Sequence, residues 1–517
     1  MGPNHRAASS RPLALLSLLL LAPLSLTLPL GPAAMAAGGA AAEAAAAAAA
    51  VPKSAAQLQA LEVPVGKPNV TRGEWNAFLR QNLEVDLAPW RRRSAELVLL
   101  AAAGRQPPPP PPPNTSTSAA RQLLQQQQQK QKLVLLRGPH HHQHHQHHQN
   151  HWRGSGGLLA NATLQLHADL MSRLDLPSVV KVVLVYNNTF YFPLRTDDVT
   201  SREPPVPVNL HMIAFVARLQ ELMDVGKLRL PNVLFVLNVD DNDMRMCAPA
   251  RNCSAPLLSL IKTVGGPGGT GGGPDTDVLL PQLMFSSSGS MYFYPWQLKR
   301  DVAFFRGMPY CSYAWWRKFP PAVCDNPCPR AYLAYRSWAD QKAGTGFSYL
   351  DVALTDPLGE NFTCIPDPPP PTTRVPLSWH AHHRYLLHLE GYAASSRLAQ
   401  LLHTNSLVLF QRQPFQEYYY RSLRPNVHYV EFWNTTSRMI DDIYDVLDEV
   451  RARERADPTS IQRIIREANS FAIKFLGFSA QVRYVKDALV RYKSLFADMD
   501  EFIGGMVAGM RARGFAI

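Results

Sequence analysis

Strand-type and helix-type segments alternate in the second half of the chain, and this order constrains the fold more than any other feature. The apolar stretch at 385–391 predicts a strand, 396–405 predicts a helix, and 406–411 predicts the next strand. A helix over 414–423 and a strand over 427–433 continue the series. This alternation predicts a parallel sheet that is covered by helices on both faces.

An earlier part of the chain shows a similar order of segments. The sequence VVKVVLVYNNTFYF at 179–192 predicts a hairpin, and 209–224 has the apolar spacing of a helix. The run LPNVLFVLNVDD at 230–241 predicts a buried strand, and strands are also predicted at 280–285 and 301–307. The fold class is therefore predicted as α/β, with two domains that face a cleft.

Composition divides the chain further, because several stretches are too poor in apolar residues to build a core. The predicted organisation is a signal peptide or signal anchor at 1–45, a linker at 46–74, an N-terminal part of the catalytic region at 75–100, a low-complexity disordered insert at 101–160, a first domain at 161–295, a second domain at 296–435 and C-terminal helices at 436–517. The insert includes a proline run, a glutamine run and a His/Gln run.

The formal net charge of +12 does not indicate a nucleic-acid binder. Residues 1–160 hold 15 Lys/Arg and 6 Asp/Glu, so the remaining 37 basic and 34 acidic residues nearly balance. A nucleic-acid-binding protein concentrates its basic residues on the folded module, whereas here they lie mainly in the low-complexity arm. We therefore expect no nucleic-acid partner.

Three features indicate the secretory pathway. A short basic stretch and an apolar run open the chain, as in a cleaved signal or a single membrane anchor. Seven Asn-x-Ser/Thr acceptor sites and an even number of cysteines, six, also fit an oxidising compartment. Spacing permits Cys247–Cys253 and Cys324–Cys328 as short loops, but sequence alone does not choose among the pairings.

The turn GYAASSR between the strand at 385–391 and the following helix has the features of an anion-binding loop. Gly391 and Ala394 leave room for an anion to approach backbone N–H groups. Ser395 or Ser396 is expected to cap the helix, and Arg397 adds a planar donor suited to phosphate. Arg306 ends another predicted strand, so two guanidinium groups could hold one diphosphate.

Carboxylates form the second group of candidate residues. Asp240 and Asp241 follow a buried strand, where one could act as a general base, although their spacing alone favours a turn in which they bond to their own backbone. Glu417 could accept the hydroxyl protons of a ribose, or it could lie exposed on an aromatic-rich helix. No metal site is predicted, because the His/Gln run has the regularity of low complexity.

Several of these motifs together resemble the protein O-glucosyltransferase and O-xylosyltransferase family, which includes capsule-associated glycosyltransferases. The similar stretches are AFFRG, LLHLEGYAASSRLAQLLHTNSLVLFQ, EYYYRSLRPNVHYVEF and the closing helices, with DLAPW, VVKVVLVYNNTFYF and LPNVLFVLNVDD in the same order. The stretch GSMYFYPWQLKRDV before AFFRG is shorter than its counterpart in that family.

The resemblance implies two Rossmann-like domains in a GT-B-like arrangement and an inverting, metal-independent transfer from a UDP-sugar. It assigns the base to Asp241, with Asp240 as the alternative, and the donor diphosphate to Arg306, Arg397 and the Ala-Ser turn. No cofactor is implied apart from the donor substrate. The acceptor would be a protein hydroxyl or a glycan.

Two functions are therefore expected from the sequence. The first is a glucosyl- or xylosyltransferase in the endoplasmic reticulum or Golgi lumen, with secretion as the alternative location. The second is a catalytically silent homologue that binds glycans or proteins.

Overall fold

The structure is a computed structural model that describes residues 59–66, 68–103, 157–174, 179–194, 209–240, 247, 253–264, 276–285, 289–310, 328–344, 349–358, 368–433, 441–514 and 517. Its strands are β1 (Leu61–Pro64), β2 (Val180–Tyr186), β3 (Thr189–Tyr191), β4 (Val233–Asn238), β5 (Leu258–Ser259), β6 (Lys262–Thr263), β7 (Val278–Leu279), β8 (Ser290–Phe293), β9 (Arg300–Gly307), β10 (Leu350–Leu354), β11 (His383–His388), β12 (Leu407–Gln411), β13 (Phe415–Gln416) and β14 (Val430–Phe432).

The helices connect and cover these strands. They are α1 (Arg72–Leu79), α2 (Val85–Ala102), α3 (Asn161–Leu174), α4 (Leu210–Asp224), α5 (Pro329–Lys342), α6 (Leu377–His380), α7 (Arg397–Leu401), α8 (Asp442–Ala456), α9 (Pro458–Phe475), α10 (Phe478–Lys493) and α11 (Met499–Ala512). A π-helical segment, Arg80–Glu84, joins α1 to α2, so the chain is helical from 72 to 102.

The second half of the chain forms a five-stranded parallel sheet in the order β10-β9-β11-β12-β14. Alternate residues of its strands enter two different hydrophobic clusters: Phe304 and Leu386 belong to one, Phe305 and Leu387 to the other. Because successive strand residues point to opposite faces, both faces of this sheet are buried. The predicted parallel sheet is confirmed in this half.

The other five-stranded sheet is mixed, in the order β3-β2-β4-β5-β7, so the predicted parallel arrangement holds only for part of it. Asn187 and Asn188 take positive φ angles of 47° and 60°, which closes the predicted β2–β3 hairpin. Helix α4 then leads from β3 to β4, which runs antiparallel to β2. Strands β4, β5 and β7 are parallel to one another.

Three local predictions need correction. The segment 280–285 is not a strand, since β7 ends at Leu279 and a 3₁₀ turn covers Leu283–Phe285. The segment 414–423 is not a helix, because β13 pairs there with β6, and this tertiary pairing outweighs local helical spacing. Helix α7 covers five residues rather than the ten predicted.

The chain divides into a leading unit, residues 1–56, and a unit of residues 57–517 to which all described residues belong. One hydrophobic cluster of the second unit contains residues of both five-stranded sheets and of the C-terminal helices. The helices α8 to α11 confirm the predicted helical end of the chain. The leading apolar segment lies outside the described residues. Among the helices that the structure describes, none has the length and apolarity to cross a membrane.

Cysteine pairing is resolved in part. Cys247 and Cys253 form a disulfide with Cα atoms 5.6 Å apart, as their spacing allowed. Cys328 is also disulfide-bonded, and Cys324 lies outside the described residues.

A buried ion cluster joins α2 to the strands and to the loop after β13. The Asp86 carboxylate accepts hydrogen bonds from Lys262 Nζ and from the backbone N–H of Leu279 (3.1 Å), and Arg421 Nη2 lies 2.8 Å from its Oδ1. The Asp86 and Lys262 side chains are only 1% and 3% exposed. Removing either group would therefore leave the opposite charge buried without its partner, which is strongly destabilising.

Replacing Asp86 by Ala should lower the free energy of unfolding by about 3 kcal/mol, because it leaves the Lys262 ammonium buried without its carboxylate. Urea unfolding measures the change. Glu96→Ala on the exposed face of the same helix is the control, with an expected effect below about 0.5 kcal/mol. Equal losses for the two variants would contradict a special role for the ion cluster.

Candidate functional site

The order of the parallel sheet places a crevice between β9 and β11. In chain order its strands run 2-1-3-4-5, so β9 leads to β10 on one side and β11 leads to β12 on the other. In doubly wound sheets, ligands bind outside the carboxyl ends of the strands at the point where the direction of winding changes. Here that point lies beside Gly307, at the end of β9, and Gly391, after β11.

A cavity of about 540 Å³ lies at this position. Six of the seven residues predicted to bind the donor line it, namely Arg306, Gly391, Ala394, Ser395, Ser396 and Arg397. His211, Ile261 and Gln282 from the first half of the chain line it as well. The volume falls in the range of small-molecule and cofactor sites.

The lining of the cavity is strongly basic. Four arginines, Arg306, Arg330, Arg374 and Arg397, contribute to it. Within the part of the chain that the structure describes, no Asp or Glu side chain lines this cavity. Such a lining favours an anion with several oxygen atoms, since guanidinium groups match phosphate and carboxylate geometry.

Arg306 lies at the edge of the cavity with its side chain 15% exposed. Its Nη2 donates to Asp351 Oδ1 at 2.5 Å, and its Nη1 donates to the Asp351 backbone oxygen at 2.8 Å. The guanidinium carbon lies 4.5 Å from the centre of the Phe304 ring. These contacts hold the group in one orientation at the end of β9.

Arg397 approaches the same strand end from the following turn. Its Nη1 donates to the Arg306 backbone oxygen at 2.5 Å, and its guanidinium lies over the Phe305 ring. Burial lowers the pKa of Arg397 to about 10. Arg306 and Arg397 therefore line one cavity, as the sequence predicted.

Arg330 is a residue of this site that sequence reasoning missed. It opens α5, and its Nη1 and Nη2 donate to the backbone oxygens of Met308 and Leu389 at 3.0 and 3.2 Å, so it joins the ends of β9 and β11. Its Nε is buried without a hydrogen-bond partner among the described residues. Burial, and then the charge of Arg397, lower the pKa of Arg330 to about 9. Only the helix-start pattern Pro329-Arg330 could have drawn attention to it.

Arg330 also packs closely against Gly391. A Cβ atom on Gly391 would lie 3.0 Å from Arg330 Nη2, a tight contact that the guanidinium could relieve only by moving. The N–H of Gly391 donates to the Ala393 oxygen at 2.9 Å and so closes the turn tightly. The neighbour that a side chain at residue 391 would meet is therefore the Arg330 guanidinium, and the role of Gly391 in admitting an anion stays a prediction.

The turn after Gly391 differs from the prediction in how its serines act. Ser396 is the N-cap of α7, yet its side chain makes no capping hydrogen bond. With five residues, α7 supplies little of the dipole that the anion-binding prediction assumed. The charge of the site therefore comes mainly from its arginines.

His380 is a second residue that the sequence did not single out. Its Nδ1 lies 3.2 Å from the Pro376 oxygen, while its Nε2 is buried with no hydrogen-bond partner in the described part of the chain. Burial, followed by the charge of Arg397, lowers the pKa of His380 to about 3. The imidazole is therefore neutral at pH 7 and does not add to the positive charge of the cavity.

Glu417 does not line this cavity. It is buried after β13, where Tyr420 Oη donates to its Oε1 at 3.2 Å. Burial raises the pKa of Glu417 to about 8. The alternative of an exposed residue on a helix is wrong, and the ribose contact stays a prediction.

The two aspartates after β4 are described only in part. Asp240 is 5% exposed, and its backbone N–H donates to Asn238 Oδ1 at 2.9 Å, as in a turn. Asp240 does not line the cavity, and Asp241 lies outside the described residues. The His/Gln run lies outside them too; within them, no group of three or more metal-ligating side chains comes together.

Comparison with known proteins adds an independent finding. Residues 368–502 match the profile of glycosyl transferase family 90. This segment contains β11, α7, β12 and the turn with Gly391 and Arg397. The part of the candidate site that contains Gly391 and Arg397 therefore lies within the matched segment, whereas Arg306 and Arg330 precede it.

Curated relatives agree with this profile. The chain is 26% identical over 229 residues to O-glucosyltransferase rumi of Drosophila pseudoobscura pseudoobscura, which covers 40% of this chain and 49% of that protein. It is 24% identical over 208 residues to Protein O-glucosyltransferase 1 of Rattus norvegicus, and this match covers 40% of this chain and 44% of that protein. A segment of 60 residues is 42% identical to the O-glucosyltransferase rumi homolog of Anopheles gambiae, and it covers 12% of this chain and 15% of that protein.

The chain thus spans about half the length of the curated relatives with which it shares its longer matches. Together with the family profile, these matches confirm the resemblance that the sequence motifs indicated.

Glu417 should make stability depend on pH. An unfolded glutamate loses its proton near pH 4.3, whereas the buried one holds it to about pH 8, so stability falls as the pH rises between these values. Glu417→Gln should remove this fall, so that between pH 5 and pH 8.5 its free energy of unfolding gains about 4 kcal/mol on that of the wild type. Urea unfolding of both proteins across this range measures the difference, and parallel curves would contradict the raised pKa.

Proposed function

We propose that this chain, which carries a glycosyl transferase family 90 domain at residues 368–502, transfers glucose or xylose from a UDP-sugar to a hydroxyl group of a protein or glycan. One observation carries the proposal: an arginine-lined cavity without a lining carboxylate among the described residues, at the winding change of a parallel sheet. The relatives named as O-glucosyltransferases support the same class of reaction.

In this proposal the diphosphate occupies the cavity beside Arg306, Arg330 and Arg397. Arg330 and Arg397 have pKa values lowered by burial, so a bound anion would relieve the cost of holding their charges in the protein. The same guanidinium groups would stabilise the negative charge that develops on UDP as the glycosidic bond breaks. The arginines thereby supply the positive charge that a metal ion supplies in other transferases.

The proposed reaction is a single displacement. The acceptor oxygen forms a bond to the anomeric carbon, and the bond to the diphosphate oxygen breaks on the opposite face, which inverts the configuration. The bonding electron pair leaves with UDP. The proton of the acceptor hydroxyl passes to Asp241, with Asp240 as the alternative base.

The proposal includes a GT-B-like arrangement, in which the first half of the chain supplies the base and the second half holds the donor. The participation of His211, Ile261 and Gln282 in the cavity lining supports it, because these residues come from the first half. The disulfide between Cys247 and Cys253 supports the lumen of the endoplasmic reticulum or Golgi as the location.

A second candidate is a protein that binds the nucleotide or a glycan without transferring sugar. It is favoured by the position of Asp240, which is held in a turn and does not line the cavity. Nucleotide binding and transfer therefore need separate tests.

Nucleotide binding is tested by the melting temperature of the full chain with UDP. Saturating UDP should raise it by mass action, and Arg397→Ala should weaken UDP binding by about 2 kcal/mol, the scale of a charge-assisted hydrogen bond. Arg463→Ala is the matched control, since that arginine is 62% exposed on α9 and outside the cavity. No shift of the wild type at millimolar UDP would overturn the donor site.

Transfer is tested with UDP-glucose and UDP-xylose on wild type, Asp241→Asn and Asp240→Asn. If Asp241 is the base, its substitution should reduce turnover by at least about a hundredfold and leave UDP affinity within about twofold, because an amide cannot accept the proton. A loss confined to Asp240→Asn would assign the base to Asp240 instead. UDP binding without turnover of either donor would favour the silent homologue.

A further inference from the structure

Asp351 is a buried carboxylate directly behind the candidate site. It is the second residue of β10, its side chain is 2% exposed, and it lies opposite Phe304 of β9 in the parallel register. It does not line the cavity. A buried carboxylate is costly unless it is paired, so its partners show what it does.

Both oxygens of the Asp351 carboxylate are occupied by guanidinium groups. Oδ1 accepts from Arg306 Nη2 at 2.5 Å, and Oδ2 accepts from Arg300 Nη1 at 2.7 Å. The backbone oxygen of Asp351 accepts a further bond from Arg306 Nη1 at 2.8 Å. The Arg306 guanidinium therefore donates to both a side-chain oxygen and the main-chain oxygen of Asp351.

The Phe304 ring completes the support for Arg306. The guanidinium carbon lies 4.5 Å from the ring centre, and the His383 imidazole stacks on the same ring at 3.8 Å with an interplanar angle of 12°. His383 Nε2 lies 3.9 Å from Asp351 Oδ2. Burial lowers the pKa of His383 to about 3, so at pH 7 it is neutral and does not compete with Arg306 for the carboxylate.

This arrangement leaves part of Arg306 available to a ligand. Its bonds to Asp351 and to the Phe305 oxygen use three of the five guanidinium N–H groups. The Nε–H and one Nη2 hydrogen make no hydrogen bond to described residues in this arrangement. Because Arg306 lines the cavity, those two donors are the ones available to an anion there.

We infer that Asp351 is a positioning residue, which holds the Arg306 guanidinium at the cavity edge in the orientation that binds the diphosphate of a nucleoside diphosphate. The inference rests on the proposed function and deepens it. Asp351 touches no ligand itself and acts through Arg306. Its contribution to affinity consequently exists only while Arg306 is present.

A double-mutant cycle on UDP binding by the full chain tests this dependence. Titration calorimetry compares wild type, Asp351→Ala, Arg306→Ala and the double variant. Each single substitution should weaken UDP binding about tenfold, and the double variant should lie within about twofold of Arg306→Ala, because the carboxylate has nothing left to orient. Losses that multiply to about a hundredfold, or no loss from Asp351→Ala, would overturn the inference.

Two variants separate positioning from general destabilisation. Arg300→Gln removes the other ion pair of the same carboxylate, lies outside the cavity, and should leave UDP affinity within about twofold. Asp351→Asn keeps an oxygen for Arg306 Nη2 and should recover most of the affinity lost in Asp351→Ala. If Asp351→Ala fails to fold, Asp351→Val, which also removes both carboxylate oxygens, replaces it in the cycle, and losses that multiply with that of Arg306→Ala would again overturn the inference.

Inorganic pyrophosphate is the second probe, and it separates this inference from the proposed function. A wild type that binds pyrophosphate but not UDP refutes the nucleotide donor, while the same cycle run on pyrophosphate still decides the role of Asp351. A wild type that binds neither anion overturns both.

Discussion

The candidate site depends on guanidinium groups in a partly desolvated cavity that no carboxylate lines among the described residues. Burial lowers the pKa values of Arg330 and Arg397, which means that their charged forms are held at a cost. Asp351 binds Arg306 from behind, outside the cavity. The surface that remains open to the cavity is positive, so the most favourable occupant is an anion with several oxygen atoms.

The topology of the sheet explains why these charges meet at one point. Strands β9 and β11 are neighbours although α5 and β10 separate them along the chain. The chain leaves β9 toward one edge of the sheet and leaves β11 toward the other, which opens a crevice between their carboxyl ends. Arg306 and Arg397 are 91 positions apart in the sequence, with Arg330 between them, and the three arginines reach this crevice from a strand, a helix and a turn.

Prediction from the sequence was most successful where the chemistry of the motif is local. The strand ending at Arg306 and the turn with Gly391 and Arg397 were predicted and are found together at the cavity. Prediction failed where a distant strand decides the local conformation, as at Phe415, which pairs with Thr263 rather than entering a helix. It failed also for Arg330 and His380, whose importance comes from what packs around them.

The amino-acid sequence by itself determined the alternation of strands and helices, the turn that carries Gly391 and Arg397 and the likeness to glycosyltransferases, because periodicity and short motifs are properties of neighbouring residues. Only the tertiary structure decided that the first sheet is mixed, that Glu417 is buried away from the cavity, and that Asp351 grips Arg306. The physical reason is that desolvation and ion pairing depend on atoms brought together from distant parts of the chain. For the same reason, the burial that lowers the pKa of Arg397 could not be inferred from the motif that contains it.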